Sequence, residues 1–273
     1  AVIGVITVLV LPFVLDDSQD YQQLFRLLYP LVSISLTLGL AILFWRLRLL
    51  QPAMQVDKKP ILNLQAWRLI CTDQRSRRLL PAYFLNSLAN ALPATLFLFF
   101  VEHYLQLNQY MGIWLLGFFL SGILALPLWV RLAKRFGKYS AWRISMFSAC
   151  LSFIWVFSLA PGSLWGFVLI CLCSGLSVAA DVALPASIQA DIAQDLSSKN
   201  GNMSGVLFAV WGMLTKLALA LAVGLALPAL GWLGWEQQSP ASLQGLLWLY
   251  AGAPVALKLV ALYWLRRADT LAD

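Results

Sequence analysis

Residues 164–189 read LWGFVLICLCSGLSVAADVALPASIQ, twenty-six residues with one charged side chain, Asp181. A helix of that length rises about 39 Å, enough to cross a hydrocarbon core of ~30 Å with some tilt. The rest of the chain repeats the pattern. Of its 273 residues 61% are hydrophobic and 11% charged, against roughly 45–50% and about 25% in a soluble domain. A soluble globular enzyme is therefore excluded. The fold class is an all-α polytopic membrane protein.

Eight apolar blocks stand out, at about 1–15, 25–45, 79–101, 110–130, 142–160, 164–189, 204–230 and 243–265. The first rises only about 22 Å, too short to span. It starts at Ala1 with no basic region before it and no small-residue cleavage site after it, which excludes a signal peptide. The expectation is a chain that begins inside a helix and belongs to a longer protein. The loop 46–78 then divides it into a two-span segment, 1–45, and a six-helix segment, 79–273.

Charge gives an independent test of this layout. The net charge is +7, which in a soluble protein would suggest nucleic acid. Here the basic residues sit on alternate connections. Eight lie between blocks two and three (Arg46, Arg48, Lys58, Lys59, Arg68, Arg75, Arg77, Arg78) and five between blocks four and five (Arg131, Lys134, Arg135, Lys138, Arg143). With Lys199, Arg266 and Arg267 they account for sixteen of the nineteen. The opposite loops carry Arg26 alone, beside Asp16, Asp17, Asp20, Glu102 and Glu236. That parity predicts a cytoplasmic loop 46–78 and a cytoplasmic C-terminus in a plasma membrane, the inner membrane if the source is bacterial, and no nucleic-acid partner. Trp45, Trp129, Trp142, Trp165, Trp232, Trp235 and Trp264 lie near block ends and read as an interfacial belt. Residues 61–70 read as a short surface helix anchored by Trp67. Cys171 and Cys173, two apart, point to different sides of a helix, so neither a metal pair nor a disulfide framework is expected.

An ionisable group at membrane depth costs ~2.5–3.5 kcal/mol even on the lenient scale, so each needs a reason. Measured from the ends of their blocks, Asp181 lies about 14 Å deep and Lys216 about 18 Å deep. A mutual ion pair is the expectation, read as a centre responsive to substrate or coupling ion, against a permanent pair that only fixes packing. Lys258, about 12 Å from Arg266, reads as snorkelling to the interface. Ser174, Ser177 and Asp181 share one helix face, while Gly175, Ala179 and Ala183 share another where a neighbour can approach closely. Asn86 and Asn90, four apart, either bond another helix or line a watery cavity. Pro93 and Pro185 open corresponding triplets of spans, and Pro127 and Pro228 close the second span of each. Pro-interrupted segments in inverted repeats mark the sites of secondary transporters.

Three stretches carry a family resemblance: Asn86-Ser-Leu-Ala-Asn90-Ala-Leu-Pro93-Ala-Thr95, Pro127–Lys138, and the run from Ala180-Asp181 through Ala190-Asp191 to Trp211-Gly-Met-Leu-Thr-Lys216. Together they resemble the glycoside–pentoside–hexuronide:cation symporter family, the melibiose-permease-like branch of the major facilitator superfamily. The resemblance implies about helices 5–12 of a twelve-helix transporter working by alternating access, and cation-coupled symport of a sugar or glycoside. It places Lys216 in the substrate and cation centre, with Asp181, Asn86, Asn90, Trp211 and Ser177 as candidate companions. Arg131, Arg135, Lys138, Asp191 and Asp195 fall on inward-gating positions. Gln194 stands where the family carries a second acid, with Asp195 displaced by one, and the arginine of the next family motif is missing from 199–205. The acidic cation ligands belong to earlier helices, so the site for Na⁺ or H⁺ is incomplete in this chain. No other cofactor, metal or catalytic group is expected. The expected partners are a small solute and the bilayer, and the expected state is monomeric.

The alternatives are a lysolipid or other amphipathic-solute transporter of the same superfamily, or a polytopic membrane enzyme. An enzyme needs a reactive cluster near an interface. The single histidine, His103 beside Glu102, sits in no such constellation. An opening towards the bilayer favours lipid, and a polar cavity with an aromatic platform such as Trp211 favours sugar.

Overall fold

Asp73 ends one helix and caps the next. Its backbone N–H bonds back to the Leu69 carbonyl at 2.8 Å, and its carboxylate accepts from the Ser76 N–H at 2.7 Å, closing helix α1 (Leu64–Thr72) and opening α2 (Gln74–Phe99). The computed structural model describes residues 29–30, 33–34, 36–45, 64–107, 109, 111–200, 203–235 and 240–266. The expected short first block, 1–15, and residues 46–63 of the middle loop lie outside the described residues.

The remaining elements are α3 (Met111–Phe136), α4 (Lys138–Trp155), α5 (Leu164–Asn200), α6 (Ser204–Trp232), α7 (Pro240–Leu247) and α8 (Ala253–Arg266). A π-helical turn, Phe100–Leu105, extends α2, and another, Trp248–Gly252, joins α7 to α8 as one rod. Among the described residues there is no strand. Among the described residues six helical segments are long and apolar enough to cross a membrane, and they correspond one to one with the last six blocks of the sequence. The helices outrun the blocks, α5 by more than ten residues, because helical hydrogen bonding continues after hydropathy falls. Pro127 and Pro228, expected to close their spans, lie inside α3 and α6 for the same reason.

The chain divides into two compact units, residues 1–58 with 112–116, and residues 59–111 with 117–273. In the first, Leu36–Trp45 is a ten-residue apolar helix. In the second, α2 is central and packs on α5, α6 and α8, while α4 packs on α5 and α8. α5 buries Ser177, Asp181, Leu184, Pro185, Ile188, Gln189, Ile192 and Leu196, the three-and-four spacing of a single helix face. α1 buries Ile70 in the same core and leaves Trp67 exposed, as the sequence predicts for a surface helix.

α3 reaches α5 where Gly175 faces Phe118, Ser121 and Gly122, and the Trp129 indole N–H donates to the Leu176 carbonyl at 2.7 Å. Trp129 is thus a packing residue, not part of the interfacial belt; Trp165 and Trp232 are well exposed. A side chain on Gly175 would meet the Phe118 carbonyl and the Ser121 hydroxyl. Gly175→Ala is expected to cost about 1–3 kcal/mol by overpacking. Gly205→Ala, with open space around it, should be neutral or slightly stabilising in thermal unfolding of the purified protein.

Candidate functional site

The polar centre of the bundle is built from four helices. α2 contributes Asn86 and Asn90, one turn apart on one face. α4 contributes Trp142, α5 Asp181 and α8 Lys258. The Lys258 ammonium donates to Asp181 Oδ2 at 2.8 Å and to Asn86 Oδ1 at 2.7 Å. Asn90 Nδ2 donates to the same Asp181 Oδ2 at 3.0 Å, and the Trp142 indole N–H to Oδ1 at 2.9 Å. The Lys258 and Asp181 side chains are 1% and 2% exposed. Asp181 therefore accepts three hydrogen bonds of the roughly four its carboxylate can take. The cluster is electrically neutral and closely satisfied, the condition under which a buried charge pair persists.

This geometry corrects two expectations. The ion partner of Asp181 is Lys258, not Lys216, and Lys258 does not snorkel. Depth does not decide the pairing, since both lysines lie within about 4 Å of the level of Asp181. Trp142, read as a belt residue, is fully buried against Asp181. The Asn86 and Asn90 expectation is met in its interhelical form. Ser177, one turn from Asp181, bonds across the α4–α5 seam, its Oγ 2.8 Å from Ser148 Oγ and its carbonyl accepting from Ser145.

Lys216 sits elsewhere. It is exposed on α6, on an open face that it shares with Phe208, Ala209, Gly212, Met213, Leu217 and Ala220 of the same helix. Apart from one ammonium, that face is apolar. Behind it, Trp211 stacks on Tyr83 of α2 with ring centroids 3.4 Å apart. Tyr83 Oη lies 2.8 Å from Thr215 Oγ1, which bonds the Trp211 carbonyl at 2.9 Å. Thr215 has one proton and spends it on that carbonyl, so Tyr83 is the donor. With Tyr83 lying on its face, Trp211 is an interhelical anchor of α6 on α2. Sequence reading did not single out Tyr83; a tyrosine three residues before Asn86 is its only signal.

The candidate gating residues separate into two groups. Lys138, at the start of α4, pairs with Asp191 of α5; Asp195 meets Lys199 at 3.0 Å and Arg75 of α2 at 3.9 Å. These bonds tie three helix ends together, and the displaced acid Asp195 still finds an arginine. Arg131 and Arg135 are exposed, the latter 5.2 Å from the Phe136 ring. His103 packs edge-on to Trp235, 3.9 Å from Glu102. Among the described residues no three His, Cys, Asp or Glu side chains gather as a metal site would need.

Comparison with known proteins places these features. Residues 1–270 match the family described as MFS/sugar transport protein. The chain is 26% identical to the human (Homo sapiens) sodium-dependent lysophosphatidylcholine symporter 1 over 189 residues, 68% of this chain and 35% of that protein. The Xenopus tropicalis symporter 1 is 26% identical over 216 residues, 78% of this chain and 40% of that protein. The symporter 1-A of Danio rerio is 27% identical over 187 residues, 66% of this chain and 35% of that protein. The chain thus spans well under half the length of the curated relatives it matches.

Removing one member of the buried pair leaves an uncompensated charge, which costs about 3–5 kcal/mol. Asp181→Asn and Lys258→Met are each expected to lower stability by that order. The double variant should recover most of the loss. Thermal unfolding of the four proteins in detergent or nanodiscs checks this; additive losses would break the pairing.

Proposed function

Since the chain belongs to the MFS/sugar transport family of the major facilitator superfamily, we propose that it forms part of a sodium-coupled symporter for a lysophospholipid-like amphiphile. The face of α6 around Lys216 carries this reading. A single ammonium set among Phe208, Met213, Leu217 and small residues suits a solute with an anionic phosphate at one end and an acyl chain at the other. A sugar presents hydroxyls around its whole rim and needs several convergent polar groups. Trp211, the expected sugar platform, carries Tyr83 on its face. The names of the relatives favour the same solute and Na⁺ as coupling ion. This reading replaces sugar, expected from the resemblance to the melibiose-permease branch, as the first choice.

In this reading residues 1–45 are the last two helices of an N-terminal bundle, 46–78 the cytoplasmic middle loop and 79–273 the C-terminal bundle. The Na⁺ ligands lie on helices outside this chain. The two bundles rock about the solute, and the Asp181–Lys258 cluster serves as a brace that moves with its own bundle. Lys216 is the charge offered to the solute, and Asp191, Asp195, Lys138 and Arg75 hold the cytoplasmic helix ends in register. Arg131 and Arg135 are left to meet partners beyond this chain. The family match and the symporter relatives support transport without covalent chemistry.

The test is uptake by the full-length protein in proteoliposomes under an inward Na⁺ gradient. Labelled lysophosphatidylcholine is expected to accumulate, with labelled glycosides excluded. Lys216→Ala should reduce that uptake by about ten- to a hundredfold, the worth of one charge-assisted hydrogen bond, while Lys216→Arg retains part of it. Glycoside accumulation without lysolipid uptake would overturn the reading.

A further inference from the structure

One polar side chain in α5 is left alone by the packing. Gln189 is fully buried, and among the described residues neither its Oε1 nor its Nε2 has a hydrogen-bond partner. A buried amide missing both bonds is costly and rare.

Its place in the helix says what it is there for. Gln189 follows Pro185 by four residues, so the two share a face, and both are buried. Pro185 has no N–H to return to the carbonyl of Asp181, four residues earlier. That carbonyl points along the axis towards the Asn200 end, to the level of Pro185 itself. Helical side chains lean back over the turn that precedes their own Cα, which carries the Gln189 amide to the same turn. A donor and acceptor from Gln189 and a carbonyl deprived of its helical donor therefore belong to one buried face of the same turn. Leu184 and Ile188 flank it in sequence, both buried.

We propose that this turn is a binding site for a single internal water. The water donates one proton to the Asp181 carbonyl and meets the Gln189 amide with its remaining hydrogen-bonding capacity. Water inserted at a proline break is a regular means of satisfying a helix whose ladder is interrupted. The position gives the site a consequence. On one side of it Asp181 is fixed by Lys258, Asn90 and Trp142; on the other Asp191 and Asp195 are ion-paired to α4 and α2. Bending at Pro185 then exchanges water bonds, leaving the protein–protein bonds on either side intact.

The full-length protein, solved at a resolution that shows ordered solvent, should display one peak within hydrogen-bonding distance of both the Asp181 carbonyl oxygen and the Gln189 amide. A turn filled by protein atoms, with the Gln189 amide bonded directly to them, overturns the proposal. Thermal unfolding gives a second reading that does not depend on density. Gln189→Leu should lower the unfolding midpoint by several degrees in the otherwise unchanged protein. In a Pro185→Ala background an N–H at 185 bonds the Asp181 carbonyl and displaces the water, so Gln189→Leu should then cost nothing. Equal losses in both backgrounds contradict the water. The density measurement decides whether or not the Pro185→Ala protein folds.

Discussion

The bond between the Lys258 ammonium and the Asp181 carboxylate organises the bundle. A charge buried alone among the helices at that depth is costly, so the helices that carry the two partners meet, and meet in one register. Asn86, Asn90 and Trp142 supply the remaining hydrogen bonds, which draws α2 and α4 to the same level as α5 and α8. The aliphatic packing around this centre, from Leu79 and Leu184 to Ala261 and Leu265, fills space that the polar contacts have already shaped. Apolar packing in a bilayer has little hydrophobic drive of its own, so register is set by polar bonds and by close approach of small residues such as Gly175.

A satisfied centre also divides the labour among the charges. Asp181 and Lys258 neutralise each other inside the bundle, and Lys138, Arg75 and Lys199 are engaged at the helix ends. Lys216 is the basic side chain on the open apolar face of α6. Tyr83 joins the two regions. It lies three residues from Asn86 on α2, stacks on Trp211 and donates to Thr215, fixing the rotation of α6 that turns Lys216 outward. Bracing within and presentation without are thus linked through one turn of α2. That arrangement suits a bundle that moves as a body about its solute.

Much of the fold was legible in the sequence because hydropathy and charge parity are one-dimensional signals. The six blocks from 79 onward correspond to the six long helices among the described residues, and the spacing of Asn86 and Asn90 marks a shared polar face while leaving open whether it bonds a helix or lines a cavity. Azimuth was harder to read. Depth can be counted from a helix end, but which lysine turns towards Asp181 depends on how three helices are rotated, and the sequence does not carry that. Chain order points to Lys216, on the helix next after that of Asp181, whereas bundle neighbours need not be sequential: α8 packs on α2 and α4. Trp142 and Trp129 were misplaced for a related reason. Proximity to a block end suggests the headgroup level, yet α4 and α3 continue past those residues and bury them. The lysolipid preference rests on the apolar residues around Lys216, whose four-residue spacing is in the sequence; that this face of α6 stays exposed is what the structure adds.

The central claim is that Asp181 and Lys258 are a permanent brace and that Lys216 is the charge that works. Structures of the full-length protein trapped open to each side of the membrane test it most directly. An Asp181–Lys258 separation of about 3 Å, a charge-assisted hydrogen bond, is expected in both states, with Lys216 changing its surroundings between them. A Lys258 ammonium released from Asp181 in either state, and turned towards solute or ion, would contradict it.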